Sequence, residues 1–134
     1  MSQKILLVED YDILAELIEM LLTGEGYEVT IASDGCIGLD RARSGTFDLM
    51  ILDLMMPCLD GIGLLNRLKG EGASLPVIVL SGSTTDDITE RVLSAGAYAA
   101  LRKPVDHDEL LDTVREALSF SKAAEPRVAN RQAA

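Results

Sequence analysis

The sequence predicts an α/β domain in which five strands form a doubly wound parallel sheet flanked by five helices. Three observations predict it. Short apolar runs rich in strand formers alternate along the chain with stretches of helical periodicity, joined by short loops. Three of those runs are unbroken, as in strands covered by helices on both faces. Four of the strands run out into a polar or charged residue that packing alone does not require, at the edge where open α/β sheets keep their chemistry. At 134 residues the chain is one domain's worth, long enough for a single sizeable core.

Lys4 to Val8 (KILLV) is the first strand, and Glu9 and Asp10 follow at once. From Asp12 the positions Ile13, Leu14, Leu17, Ile18, Leu21 and Leu22 recur at helical spacing, until Gly24 and Gly26 stop the helix. Tyr27 to Ala32 alternates and is β-branched, which suits a strand nearer the sheet edge. Asp34-Gly35 makes a turn, and a helix carrying Ile37, Leu39 and Ala42 closes near Ser44-Gly45. Leu49 to Leu52 is a fully apolar strand ended by Asp53, and Pro57, unable to donate to a ladder, breaks the chain before the Asp60-Gly61 helix start. Ile62, Leu64, Leu65 and Leu68 continue that helix to Gly70–Gly72. Pro76 opens the strand VIVLS, which ends in Ser81-Gly82. Thr84, Thr85, Asp86 and Asp87 favour a helix start, and Ile88, Val92 and Leu93 give that helix its inward face before Ala95-Gly96. Residues 98–102 (YAALR) are a fifth strand by alternation of elements, followed by Lys103-Pro104. Asp106 with Glu109 resembles a capping box for a last helix carrying Leu110, Leu111, Val114 and Leu118. Residues 122–134, with a proline and little periodicity, read as a flexible tail or the start of a linker.

Composition excludes several function classes. Hydrophobic content of 48% and charged content of 25% are globular values, which argues against wholesale disorder. A net charge of -10 makes the chain a poor binder of nucleic acid or anionic membrane, since such binding relies on Lys and Arg. No apolar run approaches a membrane span, so the expectation is a cytoplasmic protein. Cys36 and Cys58 are too few for a disulfide framework or a zinc site and are expected as free thiols, Cys58 exposed in its loop.

Because all strands of a parallel sheet end on one edge, Glu9 and Asp10, Asp53, Ser81 and Lys103 are expected around a single crevice. Carboxylates ~4 Å apart at an effective dielectric near 20 repel by about 4 kcal/mol per pair, enough to raise a pKa or to demand a cation. An all-oxygen ligand set without His or Cys favours a hard ion, and Mg²⁺ suits one or two carboxylates completed by waters and a phosphoryl group. With two acids on the metal, Asp53 is the candidate nucleophile toward phosphorus, while Lys103 and Ser81 supply donors for the developing charge. Singly, each residue has a plainer reading: Glu9 and Asp10 as helix-start acids, Ser81 as a turn residue, Lys103 as a surface charge. Their convergence on one edge is what favours chemistry.

The acid pair after ILLV, Asp53 in MILDLMMPCLDG, Ser81 after VIVL and Lys103-Pro104 together resemble the response-regulator receiver domain of two-component signalling, over residues 3 to about 121. The resemblance implies a flavodoxin-like fold with strand order 2-1-3-4-5, and residues 1–121 as the receiver. It implies that Asp53 takes a phosphoryl group from a phosphohistidine on a sensor histidine kinase or phosphotransfer protein. It further implies that Asp10, Asp53 and the backbone carbonyl of Met55 bind Mg²⁺, with Glu9 assisting through water, that Lys103 pairs with the phosphoryl group and that Ser81 hydrogen-bonds it. A cis peptide before Pro104 is also implied.

Three positions depart from the family. Ala100 stands where a switch aromatic is usual, so coupling is expected to weaken or to pass through another face, such as the first helix around Ile13, Leu14 and Leu17. Tyr98 would share a face with Ala100 in a regular strand and could substitute, although surface packing is the plainer reading. Gly82 leaves the crevice open where many members have Ala, and Tyr11 beside the acid pair could cover the site or dock a partner. His107, among Asp106, Asp108 and Glu109, reads as a solvated histidine.

The expectation is therefore a regulatory phosphoacceptor rather than an enzyme, signalling to a protein partner by conformational shift without itself contacting nucleic acid or membrane. A Mg²⁺-dependent phosphatase or phosphotransferase with an aspartyl nucleophile is the rival from another class. It would usually carry a second acid two residues after the nucleophile, where this chain has Met55. A receiver fold used only for interaction, without phosphorylation, would be expected to lose site residues, and none is lost. No Walker or GxGxxG loop follows any strand.

Overall fold

The computed structural model describes residues 2–54, 58, 60–72, 75–82 and 86–120, the last of these ranges without the side chains of Asp86 and Phe120. Met55, Pro57, Thr84, Thr85 and the tail from 122 lie outside the described residues. The elements alternate without exception: β1 (Lys4–Val8), α1 (Asp12–Gly24), β2 (Glu28–Ala32), α2 (Gly35–Ser44), β3 (Leu49–Asp53), α3 (Gly61–Gly70), β4 (Val77–Ser81), α4 (Asp86–Ser94), β5 (Ala99–Arg102) and α5 (His107–Phe120). The strands form one parallel sheet in the order β2-β1-β3-β4-β5. This is the predicted doubly wound topology, with β2 on an edge. Asp53 belongs to β3 itself, in register with Leu80 of β4, rather than to the loop after it.

Side chains alternate across the sheet with period two and divide the core. Ile5, Leu7, Leu49, Ile51, Ile78 and Leu80 point to the face covered by α1 and α5, where Ile18, Leu22, Leu110 and Val114 meet them. Leu6, Val8, Met50, Leu52, Val77 and Val79 point to the other face, under Leu39 of α2, Leu64 and Leu68 of α3 and Val92 of α4. A sheet sealed on both sides explains why β1, β3 and β4 read as unbroken apolar runs.

Local signals set several helix starts. Asp34 caps α2 by accepting from the Ile37 amide at 2.8 Å, and Asp60 caps α3 by accepting from the Gly63 amide at 2.8 Å. Asp106 accepts from the amide of Asp108 at 3.2 Å at the start of α5. Gly61 is a matter of space: a Cβ there would stand 2.8 Å from Leu54 Cα, because the chain folds back after β3 and the Gly61 amide donates to the Leu54 carbonyl at 2.8 Å. The apolar stripe of α1 is wider than the face it buries. Ala15, Ile18 and Leu22 are inside, whereas Ile13, Leu17 and Met20 are exposed.

Two sequence expectations fail. Cys36 and Cys58 are not free thiols but a disulfide. The topology brings the start of α2 and the loop into α3 to the same corner, which residue spacing alone did not disclose. Tyr98 does not share a face with Ala100, and it is not a surface residue. The strand begins only at Ala99, so alternation does not reach back to Tyr98; it is 4% exposed among Leu101, Leu110 and Val114, whereas Ala100 packs on the opposite face.

Candidate functional site

Four strand ends meet at one edge of the sheet. Glu9 follows the last residue of β1 and its amide donates to the Ala32 carbonyl at 3.0 Å, continuing the ladder to β2. Asp53 and Ser81 are the final residues of β3 and β4, and the Lys103 amide, one residue past β5, donates to the Ser81 carbonyl at 2.8 Å. Backbone pairing therefore fixes the origin of each side chain before any contact between side chains is considered.

Glu9 (1% exposed), Asp53 (4%) and Ser81 (3%) are the buried polar residues here, and Asp10 is exposed at the rim. Carboxylate oxygens of Glu9, Asp10 and Asp53 all lie within 4.8 Å of one another. The Lys103 ammonium faces two of them, at 3.2 Å from Asp53 Oδ1 and 3.4 Å from Glu9 Oε1. Glu9 Oε2 accepts from the Tyr11 amide at 3.3 Å, tying the acid to the residue that precedes α1. Glu9 Oε1 has the ammonium nearby as a charge but accepts no hydrogen bond from the described residues.

Electrostatics follow from that geometry. The Glu9 carboxyl is pushed up from 4.5 to about 7, first by burial and then by the negative charge of Asp53; Lys103 and the Tyr11 amide pull the other way without cancelling it. A buried acid with an unsatisfied oxygen, beside two more carboxylates and no sulfur or imidazole ligand, is a donor set suited to a hard divalent cation. On chemical grounds the residues fit Mg²⁺. The Met55 carbonyl expected to join them lies outside the described residues.

The remaining sequence candidates fall into place around this centre. The Lys103-Pro104 peptide is cis. Gly82 is exposed, and a Cβ there would meet nothing within 4 Å among the described residues. Tyr11 is 58% exposed, and His107 is exposed at the first turn of α5. Tyr98 is directed away from the cluster, its hydroxyl donating to Glu116 Oε1 of α5 at 3.1 Å. Ala100, on the face of α4, brings no ring to the site. Sequence reasoning missed the Tyr11 amide as a partner of Glu9 and the Cys36–Cys58 bond. The second could have been suspected from placement, since Cys36 opens α2, Cys58 lies on the connection into α3, and those two helices are neighbours on one face of the sheet.

Comparison with known proteins agrees with this arrangement. Residues 5–115 match the model of the response regulator receiver domain. The response regulator MprA of Mycobacterium tuberculosis is 40% identical over 124 residues, covering 91% of this chain and 53% of MprA. The uncharacterized transcriptional regulatory protein YkoG of Bacillus subtilis is 40% identical over 116 residues, covering 85% of this chain and 50% of YkoG. The chain thus spans about half the length of these relatives. Among solved structures, the receiver domain of Francisella response regulator 1452 superposes with a TM-score of 0.87 at 31% identity, covering 90% of this chain and 99% of that one. The receiver domain of the sensor histidine kinase PA1611 from Pseudomonas aeruginosa, described with a magnesium ion coordinated in its active site cleft, superposes with a TM-score of 0.81 at 30% identity, covering 89% and 99% of the two chains. Family model, relatives and architecture coincide on the same residues, and the chain belongs to the response-regulator receiver domains of two-component signalling.

Proposed function

We propose that Asp53 accepts a phosphoryl group from a phosphohistidine on a sensor histidine kinase or phosphotransfer protein, and that the aspartyl phosphate signals by shifting the domain between two conformations. The observation that carries this reading is the Lys103 ammonium 3.2 Å from Asp53 Oδ1, opposite two further carboxylates. An Asp53 oxygen attacks phosphorus, the P–N bond breaks and the imidazole leaves with its electron pair. Lys103 stays beside the acceptor oxygen and offsets charge as the phosphoryl group arrives, and Ser81, ending the neighbouring strand, is assigned as its hydrogen-bond donor. Asp10 and Asp53 would hold Mg²⁺ with Glu9 assisting and the Met55 carbonyl completing the protein ligands; the bound ion supplies positive charge to the phosphoryl oxygens and relieves carboxylate repulsion.

The domain is assigned a regulatory role in the cytoplasm, in residues 1–121, with 122–134 as a tail or linker start. No nucleic-acid or membrane contact is assigned to it, in keeping with its net charge of -10. For the partner surface we favour α1. Ala100 offers no ring to move, whereas the Glu9–Tyr11 bond joins the acid cluster to a helix whose Ile13, Leu17 and Met20 are 68%, 41% and 70% exposed.

Incubation with acetyl phosphate and Mg²⁺ tests the chemistry. One phosphoryl group per chain is expected, abolished by Asp53→Asn and by chelation. Labelling that persists in Asp53→Asn, or rapid multi-turnover hydrolysis of phosphomonoesters, would refute the phosphoacceptor reading.

A further inference from the structure

We propose that Asp34, Cys36 and Cys58, once the disulfide is reduced, form a binding site for a thiophilic divalent cation of the Zn²⁺ class, separate from the acid cluster at the ends of β1 and β3.

Three donors of suitable chemistry converge where α2 begins. A carboxylate oxygen of Asp34 and the sulfurs of Cys36 and Cys58 all lie within 4.8 Å of one another. Two cysteines alone would leave an ion short of ligands. The carboxylate supplies a third donor, and three protein ligands with a water in the fourth position complete a tetrahedral shell for Zn²⁺. The donor types also separate the two centres of this domain. Glu9, Asp10 and Asp53 offer oxygen only, which suits Mg²⁺, whereas two thiolates beside one carboxylate select a softer ion.

Each donor is already placed. Asp34 is held as the N-cap of α2, its Oδ1 accepting from the Ile37 amide at 2.8 Å, so its carboxylate has a fixed position and keeps lone pairs for an ion. Cys36 stands in the first turn of the same helix, where the positive end of the helix favours the thiolate. Cys58 comes from the other side, on the connection into α3, and its Cα lies 5.9 Å from that of Cys36. Two thiolates on one tetrahedral ion, each ~2.3 Å from it, are roughly 3.8 Å apart, against ~2.0 Å in a disulfide. Both cysteines are exposed, so their side chains can turn to that spacing without displacing the core.

Oxidation and metal binding compete for the same two sulfurs. A dithiol opens the bond by exchange: its first thiolate attacks one cysteine sulfur and frees the other, and its second attacks its own sulfur in the mixed disulfide, freeing the remaining cysteine while the reagent leaves as a cyclic disulfide. The cysteines gain two electrons and two protons. Binding of the divalent ion then breaks two S–H bonds, forms two sulfur–metal bonds and passes two protons to the buffer, so affinity falls as pH falls. In the reduced chain the ion takes over the link between α2 and the connection into α3.

The test uses the full chain reduced with dithiothreitol and desalted under argon, beside the oxidised chain, Cys36→Ser, Cys58→Ser and Asp34→Asn. Asparagine caps a helix as well as aspartate does, so Asp34→Asn removes the charged ligand and keeps the start of α2. Co²⁺ is the probe, with millimolar Mg²⁺ present throughout to compete for the acid cluster. Charge transfer from thiolate to Co²⁺ reports sulfur ligation, which Co²⁺ on carboxylates does not produce. The expected result is one Co²⁺ per reduced chain with that signature, displaced by Zn²⁺, and a melting point that Zn²⁺ raises more in the reduced chain than in the oxidised one. Each cysteine variant and Asp34→Asn should bind Co²⁺ at least tenfold more weakly than the reduced parent. Absence of the sulfur signature, equal binding by the oxidised chain, one ion shared between two chains, or unchanged affinity in Asp34→Asn overturns the site. Each of those results leaves the phosphoacceptor reading intact, since neither cysteine nor Asp34 belongs to the acid cluster.

Discussion

Glu9→Gln isolates the energetic burden that the acid cluster places on the fold. In the folded protein the Glu9 carboxyl sits at about 7 instead of 4.5, so the native state holds its proton more tightly than the unfolded chain does. Below pH 4.5 both states are protonated and folding carries no charging penalty. Between 4.5 and 7 the unfolded chain releases the proton first, and stability falls as pH rises; above 7 the penalty is complete. At about 1.4 kcal/mol per pH unit, that interval amounts to on the order of 3 kcal/mol. The amide of the variant cannot ionise and escapes the penalty at every pH. In urea denaturation with chelator present, the stability of Glu9→Gln relative to the parent should therefore rise by about 2 to 3 kcal/mol from about pH 5 to about pH 8, equivalent to roughly 10 °C in melting temperature. The difference between the two proteins cancels other titrating groups and any constant packing change, so the diagnostic is the slope rather than the offset. Saturating Mg²⁺ at about pH 8 should close most of the gap, since an ion held by ionised carboxylates stabilises the parent more than the variant. A gap that stays constant across that pH range would refute the reasoning, because it would mean that Glu9 is not charged against its surroundings.

Three other perturbations probe what holds the site in place. Reducing the Cys36–Cys58 bond, which closes a sequence separation of 22 residues, should lower stability by about 3 kcal/mol in the chain-entropy model, read as a melting point roughly 10 °C lower with dithiothreitol than without. Gly61→Ala drives a Cβ to within 2.8 Å of Leu54 Cα and 3.0 Å of its carbonyl oxygen; it should cost about 1 to 3 kcal/mol in denaturation and slow acetyl phosphate labelling, because Leu54 directly follows Asp53. Tyr98→Phe removes the 3.1 Å bond to Glu116 and should cost about 1 kcal/mol while leaving labelling unchanged, since that hydroxyl lies on the α5 side of the sheet; a labelling rate that dropped severalfold would show that Tyr98 reaches the site after all.

The sheet and the acid cluster were legible for one reason: each follows from the identity and order of residues along single strands. Ile51, Leu52 and their neighbours have no polar face to show, so β3 is sealed on both sides, and once the strands are parallel, Glu9, Asp53, Ser81 and Lys103 have only one edge to share. The Cys36–Cys58 bond depends instead on how the first turn of α2 approaches the connection into α3, a relation between two helices that the residues flanking either cysteine do not encode. Tyr98 was misplaced by extending a period of two backward past the true strand start. One irregular step between Tyr98 and Ala99 puts both on the α1/α5 face and sends Ala100 to the other. The exposure of Ile13, Leu17 and Met20 has a related cause: helical periodicity marks an apolar face without telling whether this chain covers it.

The depth of the acid cluster follows from where the strands end. Glu9 and Asp53 extend β1 and β3, whose apolar residues before them are 0% exposed, so the same helices that seal the core also dehydrate the carboxyls. Dehydration raises the Glu9 carboxyl, and it equally strengthens the attraction of the Lys103 ammonium, at 3.2 and 3.4 Å, and of any cation entering beside Asp10. Shorter flanking helices would relieve the burden on folding and, by admitting water, weaken each of those attractions. The fold therefore cannot relax at this edge without losing its hold on the charges that a phosphoryl group would meet, and the stability cost of Glu9 and the ion binding proposed for the cluster have the same electrostatic origin.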